Sequence, residues 1–464
     1  MSSVIVAAPL LVRQAVREHR SGRLESAAAL YDRALSSDPA DPDALHLLGA
    51  LHLQRGDALA AVPYAAKAVL VEPAMAHAYN NLGLILKGAG EAAAAARCYL
   101  QATLISPKFA EAHSNLGVVL KAEGQAALAV QHYRRALDLD PSLGEAWNNL
   151  GNALQDLGEL EDAVEAYLSA ADRMPDCDTV AYNVGLLLMR LGHQEDALVH
   201  LRRAVELAPE RDGARHLIAA IEGETTPTAP RAYVRSLFDS YANHFDSHLV
   251  GDLQYRAHQE TVDILDTVGI PGRRFALTYD LGCGTGLVGE LVRSRTDRLV
   301  GIDLSPKMLE RADRKGIYDT LICGDINDVL DQEVAAPDLV LATDVFIYVG
   351  ELDGTIGRLA DRMAPGGLFA FSIETAVEGL RWFLRPSGRY AHGADYVAET
   401  LERHGLRLLA SRPIMVRQEA GEPLDGAIYL AVKPTGDGAP VQSGAGVVGT
   451  QASSSGSGAG FRQR

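Results

Sequence analysis

The chain has 464 residues, enough for two or three domains of roughly 100–200 residues each. Hydrophobic residues make up 47% and charged residues 22%, as in ordinary globular proteins. The formal net charge of -17 disfavours a nucleic-acid partner, because such partners are bound by basic surfaces. No apolar run reaches the roughly 20 residues of a membrane span, and the apolar start lacks the basic region of a signal peptide, so we expect a cytoplasmic protein without membrane contact.

The four cysteines are scattered along the chain and form no C-x-x-C pair. They are Cys98, Cys177, Cys283 and Cys323. This spacing indicates neither a zinc site nor a disulfide framework.

The first half of the chain repeats with a period of 34 residues. Its prolines are Pro39, Pro73, Pro107, Pro141, Pro175 and Pro209, its glycines are Gly22, Gly56, Gly90, Gly124, Gly158 and Gly192, and alanines from Ala27 and Ala34 onward keep the same step. A 34-residue period is typical of the tetratricopeptide repeat, a helix-turn-helix unit. The glycines suit the turn between the two helices, and the prolines prevent the second helix from continuing. We therefore predict an all-α tetratricopeptide solenoid of about six repeats and a capping helix over residues 1–223.

A change of composition follows the repeats. The Pro/Thr-rich stretch 224–232 is predicted to be a linker, and the Gly/Ser-rich stretch 435–464 a disordered tail. Between them, over residues 233–434, short apolar runs alternate with helical segments, which predicts a mostly parallel sheet covered by helices. The last two apolar runs, “LRLLASRPIMVRQEA” and “GAIYLAVKP”, are too close for a crossover and predict an antiparallel hairpin.

The stretch “TYDLGCGTGLVGELV”, residues 278–292, contains two overlapping nucleotide-binding motifs. Gly284, Gly286 and Gly289 form the G-x-G-x-x-G of dinucleotide sites, and Asp303 could hold a ribose in either case. Asp280, however, lies where it would repel a pyrophosphate, whereas it could help hold the ammonium group of S-adenosylmethionine. The residues therefore favour S-adenosylmethionine over a nicotinamide or flavin dinucleotide.

Residues 234–434 resemble the class I S-adenosylmethionine-dependent methyltransferases through “DLGCGTG”, Asp303, “CGDI” and the final hairpin. The segments “SLFDSYANHFDSHL” and “SGRYAH” narrow the likeness to bacterial methyltransferases that often carry tetratricopeptide repeats. The resemblance implies a Rossmann-like α/β domain that binds S-adenosyl-L-methionine. The expected cofactor-binding residues are Asp280, Gly282, Gly284, Gly286, Asp303, Leu304, Met308, Asp325, Ile326, Thr343, Asp344 and Tyr255.

Candidates for the chemistry lie where the fourth and fifth strands end and in the loop that follows, the edge at which open α/β sheets bind ligands. His392, Glu374 and Tyr390 are the predicted catalytic residues, although Glu374 could equally cap a helix and His392 could be an ordinary loop residue. His244 and His248 are four residues apart, but no third ligand is evident, so no metal site is predicted. Nearby aromatic residues predict either a lid over the cofactor or plain core.

Asparagines stand one period apart on the first helices of four repeats. They are Asn81, Asn115, Asn149 and Asn183. Such a row can hydrogen-bond a peptide backbone in the repeat groove, or it can bind the adjacent repeat or water. Two functions follow: a methyltransferase whose repeats recruit the acceptor or its carrier, or an interaction scaffold with a secondary or idle cofactor domain.

Overall fold

The structure is a computed structural model that describes residues 8–242, 245–246, 256–267, 272–332, 335–419 and 422–435. The chain divides into two compact units, Met1–Ile221 and Glu222–Arg464. The first unit is helical, and the second is built on a mixed sheet. The predicted fold class, a tetratricopeptide solenoid followed by a Rossmann-like domain, is confirmed. The predicted tail lies almost wholly outside the described residues.

The first unit is a succession of helix pairs. Its helices are α1 Ala8–Arg20, α2 Leu24–Ser37, α3 Pro42–Gln54, α4 Ala58–Val71, α5 Ala76–Gly88, α6 Ala92–Ile105, α7 Ala110–Ala122, α8 Ala126–Leu139, α9 Gly144–Asp156, α10 Leu160–Arg173, α11 Asp178–Arg190, α12 Gln194–Leu207 and α13 Asp212–Glu222. The glycine between the two helices of each repeat has a positive φ, from 74° at Gly22 to 84° at Gly90, a conformation that residues with a Cβ rarely adopt. This backbone demand explains why glycine recurs at the turn.

A second glycine series lets the paired helices approach each other. A Cβ on Gly117 would lie 2.7 Å from the ring of Tyr133, and one on Gly151 equally close to Tyr167. Both tyrosine side chains are buried. Repeats three, four and five, with Gly83, Gly117 and Gly151, therefore each pack a tyrosine ring against a helix position that has no side chain.

The second unit contains nine strands and seven helices in its described part. The strands are β1 Phe275–Leu281, β2 Thr296–Asp303, β3 Thr320–Cys323, β4 Leu339–Ala342, β5 Leu368–Thr375, β6 Trp382–Leu384, β7 Tyr390–His392, β8 Arg407–Glu419 and β9 Glu422–Val432. The helices are α14 Arg231–Tyr241, α15 Ala257–Thr267, α16 Leu287–Val292, α17 Pro306–Lys315, α18 Ile326–Asp331, α19 Asp353–Arg362 and α20 Ala394–Arg403. One hydrophobic cluster joins the sheet to α18, α19 and α20, and another joins it to α15 and α16, so the sheet is buried between helices.

The strands are ordered β3-β2-β1-β4-β5, with parallel neighbours, and β9 pairs antiparallel with β5 and β8. This is the predicted parallel sheet with a terminal hairpin. A short pair, β6 and β7, was not predicted; β7 lies beside the end of β5, with Thr375 opposite His392. Tyr390 and His392 therefore belong to a strand and not to the expected loop.

The stretch 224–232, whose role as a linker stays a prediction, makes backbone hydrogen bonds of its own. Residues 225–229 lie within the second unit and hydrogen-bond to the segment after β4: Ala229 N–H donates to Tyr348 O (3.0 Å), and Pro227 O accepts from Gly350 N–H (3.0 Å). Pro/Thr-rich composition removed large apolar side chains from this stretch, but not the backbone groups that bind a neighbouring segment.

Candidate functional site

The turn after β1 is shaped by three glycines. Gly282, Gly284 and Gly286 have φ values of 62°, 53° and 92°, the left-handed region that glycine enters without strain. A Cβ on Gly282 would lie 2.6 Å from a methyl group of Val345, whereas one on Gly284 would meet nothing closer than 3.8 Å. The turn is therefore closely backed at Gly282, whereas a Cβ on Gly284 would make only ordinary van der Waals contact with Phe245.

Asp303, at the end of β2, ties this turn to the neighbouring strand. Its Oδ2 accepts a hydrogen bond from Gly284 N–H (2.9 Å) and its Oδ1 accepts one from Ser305 N–H (2.8 Å). Burial raises the pKa of Asp303 to about 6, although the bonds from Ser305 and Gly284 act in the opposite direction. A carboxylate has about four acceptor positions, so Asp303 keeps acceptor capacity beyond its backbone partners.

Asp280 lies beneath the turn and is almost fully buried. The hydroxyl of Tyr318 donates to its Oδ2 over 2.6 Å. Burial raises the pKa of Asp280 to about 7, and the Tyr318 hydroxyl bond partly counters this effect. Tyr318 was missed by the sequence analysis; its only sequence signal is indirect, because its ring packs against Gly289 and Gly301, where any Cβ would collide with it.

The remaining predicted residues of the second and third strands are brought together beside Asp303. Gly324 N–H donates to Asp303 O (3.0 Å), Met308 is buried in the first turn of α17, and Leu304 and Ile326 are half-buried. This end of the sheet therefore assembles residues that are more than twenty positions apart in the sequence.

Asp325 is less free than the sequence suggested. Its side chain accepts from Asn327 N–H (2.9 Å) at the start of α18 and pairs with the Arg231 guanidinium (2.9 Å). Arg231 also pairs with Asp328 (2.6 Å). Arg231 gives no local sequence signal for this pairing, because it lies 94 positions before Asp325.

Thr343 and Asp344 follow β4. Asp344 is the one non-glycine residue with a positive φ (57°) in the described ranges, and its N–H donates to the Ser372 hydroxyl (2.8 Å). The Ser372 hydroxyl in turn donates to Asp344 Oδ1 (3.2 Å). The hydroxyl oxygen of Thr343 is buried and has no hydrogen-bond partner among the described residues.

The three predicted catalytic side chains are fully buried. His392 Nε2 lies 2.9 Å from Val349 O and 3.1 Å from Gly350 O; it must carry the proton to donate, and burial lowers the pKa of His392 to about 4. The Tyr390 hydroxyl lies 2.6 Å from the Thr226 hydroxyl, and Glu374 pairs with Arg385 over 3.1 Å. These contacts hold the segment after β4 and the end of β5; a catalytic role for the three side chains stays a prediction.

An aromatic cluster stands over the glycine turn. The rings of Phe238 and Tyr241 meet Phe245 edge to face, and Phe238 also meets Tyr348 with ring centroids 5.5 Å apart. Phe245 supplies the atoms nearest to a Cβ built on Gly284 (3.8 Å). The rings therefore pack on one another beside the turn, and their role as a lid stays a prediction.

Other predicted positions cannot be placed. Tyr255, His244 and His248 lie outside the described residues. Within the described ranges no group of three or more His, Cys, Asp or Glu could hold a metal ion. None of the helices in those ranges combines the length and apolar character that crossing a membrane requires.

The asparagine row of the repeats is divided between two environments. Asn115 Nδ2 donates to Asn80 Oδ1 (2.9 Å), and Asn183 Nδ2 donates to Asn148 Oδ1 (3.0 Å), each in the preceding repeat. Two of the four amides therefore tie neighbouring repeats together, as the alternative interpretation of the row allowed.

Comparison with known proteins agrees with both halves of the architecture. Residues 279–371 match the methyltransferase domain family, and tetratricopeptide repeat families match residues 17–56, 76–109, 119–158 and 148–233. The chain therefore carries a methyltransferase domain preceded by tetratricopeptide repeats, as predicted. The match favours S-adenosylmethionine over a dinucleotide.

Individual relatives are similar over part of their length. Malonyl-[acyl-carrier protein] O-methyltransferase of Enterobacter lignolyticus (strain SCF1) is 28% identical over 32% of this chain and 57% of its own length. Human methyltransferase-like protein 27 is 35% identical over 36% of this chain and 66% of its own length. This chain thus spans between half and two thirds of these relatives. The solved structure of YrrB, a TPR protein with an unusual peptide-binding site, has a TM-score of 0.35 at 22% identity and covers 40% of this chain and 96% of its own.

Proposed function

We propose that the protein transfers a methyl group from S-adenosylmethionine, and that its repeat domain recruits the acceptor or a protein that carries it. The observation that carries this proposal is the Asp303 carboxylate, which is fixed by Gly284 N–H (2.9 Å) and Ser305 N–H (2.8 Å) at the mouth of the glycine turn. A carboxylate fixed in this way is ready to accept the two hydroxyls of a ribose.

The described residues fit this cofactor. Asp303 keeps acceptor capacity, a Cβ on Gly284 would meet nothing closer than 3.8 Å, and the buried Thr343 hydroxyl has no partner among the described residues, so a ligand could supply one. Asp280 supplies negative charge beneath the turn, which suits a ligand with an ammonium group and opposes one with a pyrophosphate. Asp325, held by Arg231, would face the adenine.

S-adenosylmethionine, when bound, supplies a methyl group on a positively charged sulfur for in-line displacement by an acceptor nucleophile. The chain's part is to hold the reactants in line and to exclude water. Phe245, which lies next to Gly284, would exclude water there, supported by the rings of Phe238 and Tyr241 that pack against it. His392 and Tyr390 would fix the segment that borders the acceptor through their bonds to Val349 and Thr226.

Calorimetric titration with S-adenosylmethionine tests the cofactor site. Asp303→Ala removes two bonds to a charged acceptor, at about 1.5 kcal/mol each, so we expect affinity to fall about a hundredfold. The matched control is Asp297→Ala, on the same strand, whose side chain is exposed and pairs with Arg274. Its affinity should equal that of the unchanged chain.

Other outcomes would contradict the proposal in distinct ways. Equal affinity in Asp303→Ala would exclude the ribose contact, and tight binding of NAD would reverse the choice of cofactor. If the intact chain binds neither, the alternative of an interaction scaffold with an idle cofactor domain is favoured. If S-adenosylmethionine binds, a mass-spectrometric screen for products with one added methyl group identifies the acceptor class.

A further inference from the structure

The outward face of two neighbouring repeats is apolar. Five large side chains on α4 and α6 are exposed: Leu59 by 84%, Leu70 by 79%, Val71 by 39%, Leu100 by 47% and Leu104 by 65%. The opposite faces of the same helices form core, since Ala61, Ala65 and Cys98 belong to one hydrophobic cluster with α5. We call the five exposed side chains the apolar face.

The repeat period shows that the solenoid does not need these side chains. At the position of Leu59, repeats one, five and six carry Glu25, Glu161 and Glu195. At the position of Leu70, the last three repeats carry Asp138, Asp172 and Glu206. The same helix pairs fold with charges at both positions, so stability of the repeat does not explain the leucines.

We propose that the apolar face binds the apolar face of a second copy of this chain, forming a two-fold dimer. The low net charge of this face favours self-association. Lys67 and Arg97 are the sole charged residues of α4 and α6, and the exposed Asp57, Glu72 and Glu91 adjoin the helix ends. The face thus carries a net charge of only about -1 in a chain of net charge -17, whereas the acidic outer faces of repeats five and six would repel their own copies.

The area also suits a pair of copies. Taking roughly 180 Å² for a fully exposed leucine, the five side chains expose roughly 500 Å², near the upper end of the patches that monomers leave uncovered. Two such faces bring roughly 1,000 Å² of apolar surface together, the lower limit for a specific interface before rim contacts are added. A two-fold axis uses the same patch on both copies, so no second surface is needed.

Sedimentation velocity of the full chain over a wide concentration series tests the dimer. We expect a species of twice the 49.5 kDa chain mass that dissociates on dilution. The variant Leu59→Glu with Leu70→Asp copies the residues that repeat five carries at these positions. It should be monomeric throughout, with unchanged helical circular dichroism.

The matched control is Val199→Glu, a side chain on α12 that is 65% exposed and lies outside the apolar face. It should associate like the unchanged chain. A wild-type chain that is monomeric at every concentration overturns the proposal, as does equal association of the double variant or equal loss of association in the control.

A second measurement does not depend on the variant's folding. Lys67 lies among the apolar side chains of α4 and is exposed. A lysine-reactive cross-linker applied to mixed light and heavy isotope-labelled wild-type chains should join Lys67 of one copy to the other copy. Intermolecular links that omit Lys67 and join lysines of the second unit would overturn the proposed face. Neither experiment involves cofactor binding, so their results are independent of the proposed methyl transfer.

Discussion

Both units pack glycines against tyrosine rings, but with different consequences for the cofactor site. In the repeats, Gly117 lies against the ring of Tyr133, and the arrangement recurs in neighbouring repeats. In the second unit, Gly289 and Gly301 lie against one ring, Tyr318, whose hydroxyl also holds Asp280 beneath the cofactor turn. Contacts of a solenoid reach only adjacent repeats, so a defect there stays local. A defect at Tyr318 instead reaches the site. A packing defect in one repeat should therefore leave the cofactor site intact, whereas a packing defect at Tyr318 should also disturb that site.

The largest expected effect tests this coupling directly. Gly289→Ala would bring a Cβ within 2.6 Å of Tyr318 Cζ, and Gly117→Ala would bring one within 2.7 Å of Tyr133. Overpacking costs roughly 1–3 kcal/mol. For Gly289→Ala we expect the free energy of unfolding of the second unit to fall by about 3 kcal/mol. S-adenosylmethionine binding should weaken more than tenfold, because Tyr318 cannot move without releasing Asp280. In the repeats, Gly117→Ala should lower the free energy of unfolding by about 1 kcal/mol and leave cofactor affinity unchanged, because the Tyr133 hydroxyl has no hydrogen-bond partner among the described residues to lose when the ring shifts.

Scanning calorimetry combined with cofactor titration measures both quantities. Equal losses of affinity in Gly289→Ala and Gly117→Ala would contradict the proposed separation of the two units.

Burial of His392 should make the stability of the second unit depend on pH. The pKa of His392 is about 4 in the folded chain and 6.5 in its ordinary state, so the unfolded chain binds the proton first as pH falls. The stabilisation that comes from neutral His392 is therefore fully present above about pH 6.5 and is lost as pH falls to about 4. The loss is about 3 kcal/mol, because each unit of pKa difference is worth about 1.36 kcal/mol.

His392→Gln keeps an N–H donor for Val349 O but cannot be protonated in this range. The stability difference between wild type and this variant should shift by that amount between pH 7 and pH 4 in chemical unfolding experiments. The comparison with the variant is necessary because Asp280 and Asp303 also titrate in this range. Their pKa values are raised to about 7 and about 6, so their contribution to stability increases as pH falls, opposite to that of His392. A pH-independent difference would show that His392 is not buried in its neutral form.

The asparagine row should separate stability from partner binding within the repeats. Asn115→Ala and Asn183→Ala each remove an inter-repeat bond, so we expect a loss of about 1 kcal/mol apiece, reduced by alanine's helix propensity. Asn149→Ala removes no described side-chain bond and should leave thermal unfolding unchanged.

Methylation of a macromolecular acceptor should fall about fivefold in Asn149→Ala if its amide binds the partner, at about 1 kcal/mol. Turnover of a small acceptor should persist. Full activity on the natural acceptor would show that Asn149 does not hold it.

The smallest expected effect is the release of protons when S-adenosylmethionine binds. With a pKa of about 7, Asp280 is about half protonated at neutral pH, and a cation bound nearby should ionise it. S-adenosylmethionine binding at pH 7 should therefore release up to about half a proton, measured by calorimetry in buffers of different ionisation enthalpy. Tyr318→Phe, which removes the bond that favours the charged form, should increase the release. Absence of any buffer dependence would place the ligand's charge away from Asp280.

Features set by local chemistry were predictable from the sequence. The 34-residue period defined the repeats because every unit imposes the same left-handed turn and the same close helix approach. The glycine turn and Asp303 were predictable for a similar reason: the positive φ values at the alternate positions 282, 284 and 286 favour glycine, and an acidic residue at the end of the next strand lies beside that turn in any parallel sheet.

Features that join distant parts of the chain were decided by the tertiary structure alone. Tyr318 meets Asp280 across 38 positions and His392 meets Val349 across 43, and neither pair leaves a mark in local periodicity. The repeat sequence likewise predicted a row of asparagines but not which of them bind the preceding repeat. Periodicity and turn chemistry depend on neighbours along the chain and so determined the two architectures. Partners of buried polar groups depend on strand order and helix stacking, because a buried donor takes whichever acceptor the packing brings within reach.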